Sequence, residues 1–307
     1  MNTLDLPPSP VAEDHYPSRT EPWPRRLPRL DPVVHGDGPG PLDPAQVDRY
    51  ARDGFLVLEG LFAPDEVAAL NAELDRLAVS PAVRALEETV REPDSGLVRS
   101  IFRVHALSDV FDRLVRDPRL LDAARQLLGG GVYVHQARVN LKPGFLGREF
   151  YWHSDFETWH VEDGMPRMRA LSVSLALTDN HVFNGPLMLI PGSHHTFVCC
   201  VGETPERHYR TSLRRQQYGV PDDESLRAMA DAGRIAMPTG PAGAAVLFDC
   251  NTMHGSGSNI SPYARRNAFV VYNSVENTLR DPFCGLSPRP EHIACRRPAP
   301  LTTVDGR

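Results

Sequence analysis

A chain of 307 residues, 41% hydrophobic and 23% charged, can bury a large core, which argues against disorder and favours one catalytic domain, or at most two. Its formal charge of -6, with no stripe of Lys and Arg interleaved with aromatics, gives no footprint for nucleic acid, and nowhere do 18 apolar residues run together. Residues 1–30 show no basic start followed by an apolar run, so the expected setting is soluble and cytoplasmic with no membrane partner, and in that reducing compartment five cysteines without a CxxC pair read as free thiols.

In chain order, residues 1–45 hold eleven of the 29 prolines and read as an N-terminal arm that packs on the surface or stays loose. Residues 46–307 then form one domain, with a helical flank at 60–130 and a strand-rich core at 131–280. Asp53-Gly54-Phe55-Leu56-Val57-Leu58 reads as a short strand. Pro64 opens a helix with Val67, Leu70, Leu74 and Leu77 on one face, and Pro118 opens another that stops at the glycines 129–131. From Val132 onward, short runs broken by Gly, Pro, Asn and Asp predict strands near 132–142, 149–156, 169–178, 185–190, 244–250 and 265–274, the pattern of a sandwich or barrel. Residues 200–235 read as a charged insertion with a helix around 223–232, placed to cover a site mouth.

The chemistry concentrates in Phe150–His160, where His153 and Asp155 are spaced to share one face of a strand. His254 follows about a hundred residues later, sharing a parity with Phe248, Cys250 and Thr252 if no bulge intervenes. Two imidazoles and a carboxylate on one side of an octahedron leave the other side open, which is what a non-haem Fe(II) oxygenase needs. On the strand 132–142 one parity is polar (Gln136, Arg138, Asn140, Lys142) and the other runs Tyr133, His135, Ala137, Val139, Leu141. The polar set is either a solvated outer face or the wall of a wet pocket. Ala170, Ser172, Ser174 and Ala176 form a small face that leaves room for a ligand. Arg265 shares its parity with Asn267, Phe269 and Val271, and an arginine there needs an anionic partner.

The run Gly185-Pro186-Leu187-Met188-Leu189-Ile190-Pro191-Gly192-Ser193-His194 resembles the signature of the phytanoyl-CoA dioxygenase superfamily. The blocks FYWHSDFETWHVEDGMP at 150–166 and HQARVNLKPGF at 135–145 are similar to the ectoine hydroxylases within it, and Tyr16-Pro17-Ser18-Arg19 fits the same likeness. The resemblance implies an all-β core with flanking helices, a double-stranded β-helix of jelly-roll, cupin-like type. It implies Fe(II) on His153, Asp155 and His254, and 2-oxoglutarate clamped by Arg265 with Lys142, Asn140, Ser172 and Ser256 as further contacts. The substrate pocket would draw on Gln136, Thr158, Trp159, Phe248 and Phe269. Ectoine, a cyclic amidine bearing a carboxylate, would be hydroxylated with dioxygen to 5-hydroxyectoine, a compatible solute of stress protection, while 2-oxoglutarate becomes succinate and carbon dioxide. A homodimer is implied as well. The alternative is a related oxygenase of the superfamily acting on another small amino-acid-like compound.

Overall fold

The computed structural model describes residues 14–92, 95–207, 209–212 and 218–304. Among the described residues twelve strands run in chain order: β1 (Arg25–Pro28), β2 (Phe55–Leu58), β3 (Thr89–Arg91), β4 (Val98–Phe102), β5 (Val132–Lys142), β6 (Phe150–His153), β7 (Ala170–Ala176), β8 (Leu187–Leu189), β9 (Thr196–Cys199), β10 (Ala245–Asp249), β11 (His254–Ser256) and β12 (Arg265–Ser274). They form a seven-stranded sheet in the order β2-β10-β7-β12-β5-β4-β3, a three-stranded sheet β6-β11-β8 and a two-stranded pair β1-β9. Every pairing is antiparallel, and the two larger sheets face each other as a jelly roll.

Alternation fixes what each face of the large sheet does. One face presents Ala137, Val139, Leu171, Val173, Leu175, Ala245, Leu247, Ala268 and Val270 to the helices Pro44–Asp53, Pro64–Val79 and Pro118–Leu128, forming the main hydrophobic core. Those helices begin where their caps dictate. Asp43 accepts from the Gln46 amide while Gln46 Oε1 accepts from the Asp43 amide, and Asp117 caps the last helix ahead of Pro118. The helix over 118–128 ends at Gly129, in the left-handed region, as expected from the sequence. Among the described residues no helix is long and apolar enough to cross a membrane.

The flank at 60–130 is not purely helical, because β3 and β4 extend the large sheet beyond β5. The helix Pro44–Asp53 was not expected, and the strand before Leu58 is shorter than read because Asp53 still belongs to that helix. The alternation along β5 is interrupted: pairing with β12 skips His135, so Val132 and Val134 join Ala137 and Val139 in the apolar core. From residue 14 onward the arm packs along the surface of the domain: β1 pairs with β9 and most of 20–30 is exposed, but Tyr16, Ser18 and Arg19 are buried, so at that point it reaches the interior. Residues 1–13 of the arm, and 208 and 213–217 of the insertion, lie outside the described residues; the helix expected near 223–232 spans Asp223–Gly233.

Candidate metal centre and cavity

The expected strand over 149–156 stops at His153. Ser154 keeps an extended backbone (φ -102°, ψ 131°) and Asp155 opens a short helix, Asp155–Thr158, which runs into a π-helical turn, Trp159–Asp163. His153 and Asp155 therefore meet at a strand-to-helix corner rather than by strand alternation. The turn ends at Gly164 (φ 77°), where a Cβ would come within 2.2 Å of the Arg280 carbonyl oxygen, so only glycine fits. His254 is also delivered differently from expectation. β10 ends at Asp249, residues 250–253 turn back, and His254 begins β11 in the opposite sheet, directly across from His153. Asn251 holds that turn: its side chain donates to the carbonyls of His194 and Thr196 and accepts from Ser154 Oγ at 2.9 Å.

The result is a buried cluster of His153, Asp155 and His254, each offering a ligand atom within 4.8 Å of the others. Its tautomers follow from hydrogen bonding. His153 Nδ1 lies 2.8 Å from the Tyr151 carbonyl and His254 Nδ1 lies 2.9 Å from the Thr252 carbonyl. A carbonyl only accepts, so both Nδ1 atoms carry the proton and both Nε2 lone pairs are free. These Nε2 atoms stand 3.6 and 3.8 Å from Asp155 Oδ1. Burial first, and then the neighbouring His153, lower the His254 pKa to about 4, so the ring is neutral at ordinary pH. Burial opposes ionisation of Asp155, but His254, His153 and Arg138 outweigh it and hold the carboxyl well below the usual range. Ser172 Oγ donates to Asp155 Oδ2 at 3.1 Å and fixes its orientation. Two imidazoles and one carboxylate suit a divalent metal of the iron class.

The cluster opens into a cavity between the large sheet and the three-stranded sheet. Of the residues singled out from sequence, His153, Asp155, His254, Lys142, Asn140, Ser256, Arg265, Gln136, Thr158, Trp159 and Phe269 line it. The polar parity of β5 is thus pocket wall, not solvated surface. Ser172 and Phe248 do not reach the wall. Ser172 is taken up by Asp155, and the buried Phe248 ring packs 4.9 Å from His254.

At one end of the cavity, Arg265 is buried with Nε lacking a hydrogen-bond partner among the described residues, and desolvation lowers its pKa to about 10. Lys142 lies beside it in register, donating to Ser256 Oγ at 2.9 Å and to the Gly257 carbonyl at 2.6 Å. Burial, then Arg265 and Arg99, lower the Lys142 pKa to about 6. A buried cation without a counter-charge is costly, and an anionic ligand offsets that cost.

At the other end, Trp159 stands edge-on to His135 at 5.0 Å, and Thr158 Oγ1 is buried without a partner among the described residues. Gln136 Nε2 donates to the Ile293 carbonyl at 2.7 Å, while Gln136 Oε1 accepts from Arg138. Arg138 lies over the Phe269 ring at 4.9 Å. The cavity residues Arg99, Arg289, Phe102 and Phe150 were not singled out from the sequence. Arg138 carried a signal, its shared parity with Gln136 and Asn140, whereas Arg289 sits in an irregular C-terminal segment with no pattern to betray it.

The model of the family described as Phytanoyl-CoA dioxygenase (PhyH) matches residues 50–267. An ectoine dioxygenase of Bordetella parapertussis is 62% identical over 288 residues, covering 93% of this chain and 94% of that protein. The crystal structure of EctD from S. alaskensis with 2-oxoglutarate and 5-hydroxyectoine matches with a TM-score of 0.87 at 51% identity, over 96% of this chain and 99% of that one. The structure of the same protein with bound Fe matches with a TM-score of 0.86 at 50% identity, over the same shares. With its metal-binding cluster, its anion-seeking end and these likenesses spanning nearly the whole chain, the protein belongs to the phytanoyl-CoA dioxygenase family, alongside the ectoine dioxygenases.

Proposed function

We propose that the chain hydroxylates ectoine to 5-hydroxyectoine, using Fe(II), 2-oxoglutarate and dioxygen and releasing succinate and carbon dioxide. The observation that carries this reading is the placement of a buried, unpaired Arg265 in the same cavity as the His153, Asp155 and His254 cluster, because a metal site alone needs no such cation. The S. alaskensis protein that matches this chain throughout was crystallised with 2-oxoglutarate and 5-hydroxyectoine, which fits the two ends of the cavity.

In this reading His153, Asp155 and His254 hold the iron, with Ser172 orienting Asp155 and Phe248 packing behind His254. Arg265 grips the distal carboxylate of 2-oxoglutarate, and Lys142, Asn140 and Ser256 complete that end. Bound iron supplies the redox chemistry that couples loss of carbon dioxide from 2-oxoglutarate to oxidation of a C–H bond. The chain orients the partners and excludes water. Trp159 and Phe269 offer aromatic faces to the amidinium ring, Thr158 offers an unused hydroxyl, and Gln136 fixes the Arg138 guanidinium. Residues 1–45 act as an arm to a single catalytic domain at 46–307. A cytoplasmic setting, in keeping with the five unpaired cysteines, and a homodimer complete the proposal.

The test offers the protein Fe(II), 2-oxoglutarate and air with ectoine, proline or a long acyl thioester in parallel, with products read by mass spectrometry. One added oxygen on ectoine is the expected result. Oxidation of proline or the thioester with ectoine untouched sinks the substrate assignment.

A further inference from the structure

We infer that Arg19, from the N-terminal arm, is a positioning residue for the substrate end of the cavity: it sets the helical turn over 155–163 that carries Thr158 and Trp159 and, through the acidic end of that turn, Arg289. The inference rests on the substrate reading above and adds to it a distant residue that touches no ligand. Arg19 Nε and Nη2 donate to the two oxygens of Glu157 at 3.0 and 2.7 Å, and Nη1 donates to Glu162 Oε1 at 2.8 Å and to Thr204 Oγ1 at 2.9 Å. Ser18 Oγ adds a bond to Glu157 Oε1 at 2.7 Å. The side chains of Arg19, Glu157 and Glu162 are 2%, 1% and 3% exposed, so these bonds are made in a dry interior where geometry is tightly held.

What the network holds is the wall of the cavity. Glu157 and Glu162 bracket Thr158 and Trp159, which line it. Asp163, the next residue, takes a two-pronged contact from Arg289 at 2.7 and 2.6 Å, and Arg289 also lines the cavity. His135 stands between Asp163, at 3.7 Å, and the Trp159 ring. Arg19 itself does not line the cavity, and its bonds reach neither Lys142 nor Arg265 at the opposite end.

Two backbone features show how strictly the contact is specified. Arg19 adopts φ 60°, a left-handed conformation that a long side chain rarely takes. Gly219, from the insertion, closes over the pair so tightly that a Cβ there would lie 2.2 Å from Glu157 Oε2 and 2.7 Å from Arg19 Nη2. The arm and the insertion therefore meet on the same carboxylate.

Arg19→Lys keeps the charge and loses the planar fork. The expected result is an ectoine KM raised about tenfold, with the 2-oxoglutarate KM within about twofold and a larger share of 2-oxoglutarate consumed without hydroxylation. A merely structural role lowers the melting temperature and the active fraction but leaves both KM values unchanged, and that outcome overturns the inference. Should Arg19→Lys not fold, Ser18→Ala carries the same test, with a shift of about threefold in the same direction expected and an unchanged KM ratio overturning it. Wild-type protein that leaves ectoine untouched marks failure of the substrate reading instead. In that event acrylamide quenching of Trp159, with Trp23 and Trp152 replaced by Phe, decides the inference: greater quenching in Arg19→Lys supports it and equal quenching sinks it.

Discussion

The two faces of the seven-stranded sheet are built from the same strands and obey opposite rules. On the helix side, Leu171, Val173 and Leu175 of β7 and Ala268 and Val270 of β12 are buried among other apolar groups, each contributing transfer free energy of roughly 25 cal/mol per Å². On the cavity side, the residues between them include Ser172, Ser174, Asn267 and Phe269, with Arg138, Lys142 and Arg265 nearby. Burying these cations works against folding, and their lowered pKa values record it. One face therefore supplies stability while the other gives some of it up for binding, and neighbouring positions on one strand should answer to different measurements.

The contrast is largest between Asp155 and Leu171. Asp155→Ala removes a metal bond and a buried charge, so turnover should fall to background while the melting temperature holds. Leu171→Ala opens a cavity in the main core and should cost about 2 to 5 kcal/mol of stability, read by denaturant unfolding, with the KM for each substrate unchanged. His153→Ala and His254→Ala should behave as Asp155→Ala. Full activity in any of the three ligand variants would sink the metal centre, and a normal unfolding midpoint in Leu171→Ala would sink the division of labour.

How much of this is legible in the amino-acid sequence depends on which face is considered. Simple alternation and caps mark out β5, β7, β10 and β12 to within a residue or two at most, and the helix ending at Gly129, because local preference and burial agree there. The ligands His153, Asp155 and His254 are legible as residue types, but the geometry joining them is not. A strand-to-helix corner at Ser154 and a sheet switch at residues 250–253 are set by Asn251 and the backbone partners it finds far away in sequence. The skip at His135 reverses the parity of Tyr133 and Val134 for the same reason, since a bulge is specified by both strands together. Arg289 and the buried Arg19 are illegible in role, because each acts through contacts more than a hundred residues distant.

A smaller effect tests the cavity side alone. Arg265→Lys retains the charge and loses the two-pronged grip on a carboxylate, so 2-oxoglutarate affinity should drop by about a hundredfold, equivalent to roughly 2 to 3 kcal/mol. Titration of 2-oxoglutarate under anaerobic conditions reads it directly. An unchanged affinity would move the anion site away from Arg265.

The smallest effect is a proton. Burial, with Arg265 and Arg99 close by, lowers the Lys142 pKa to about 6, against about 10.4 for a free lysine, so in the ligand-free protein its amine is neutral at pH 7.5. A dicarboxylate placed at that end of the cavity supplies the missing negative charge and raises the pKa again. Between the two values, binding must therefore take up a proton. The expected uptake is close to one at pH 7.5 to 8, fading as pH falls below about 6, where Lys142 is already charged. Calorimetry of 2-oxoglutarate binding in buffers of different ionisation enthalpy measures it, and Lys142→Met should abolish it. Binding with no proton uptake, or with release, would show that Lys142 stays charged in the empty cavity.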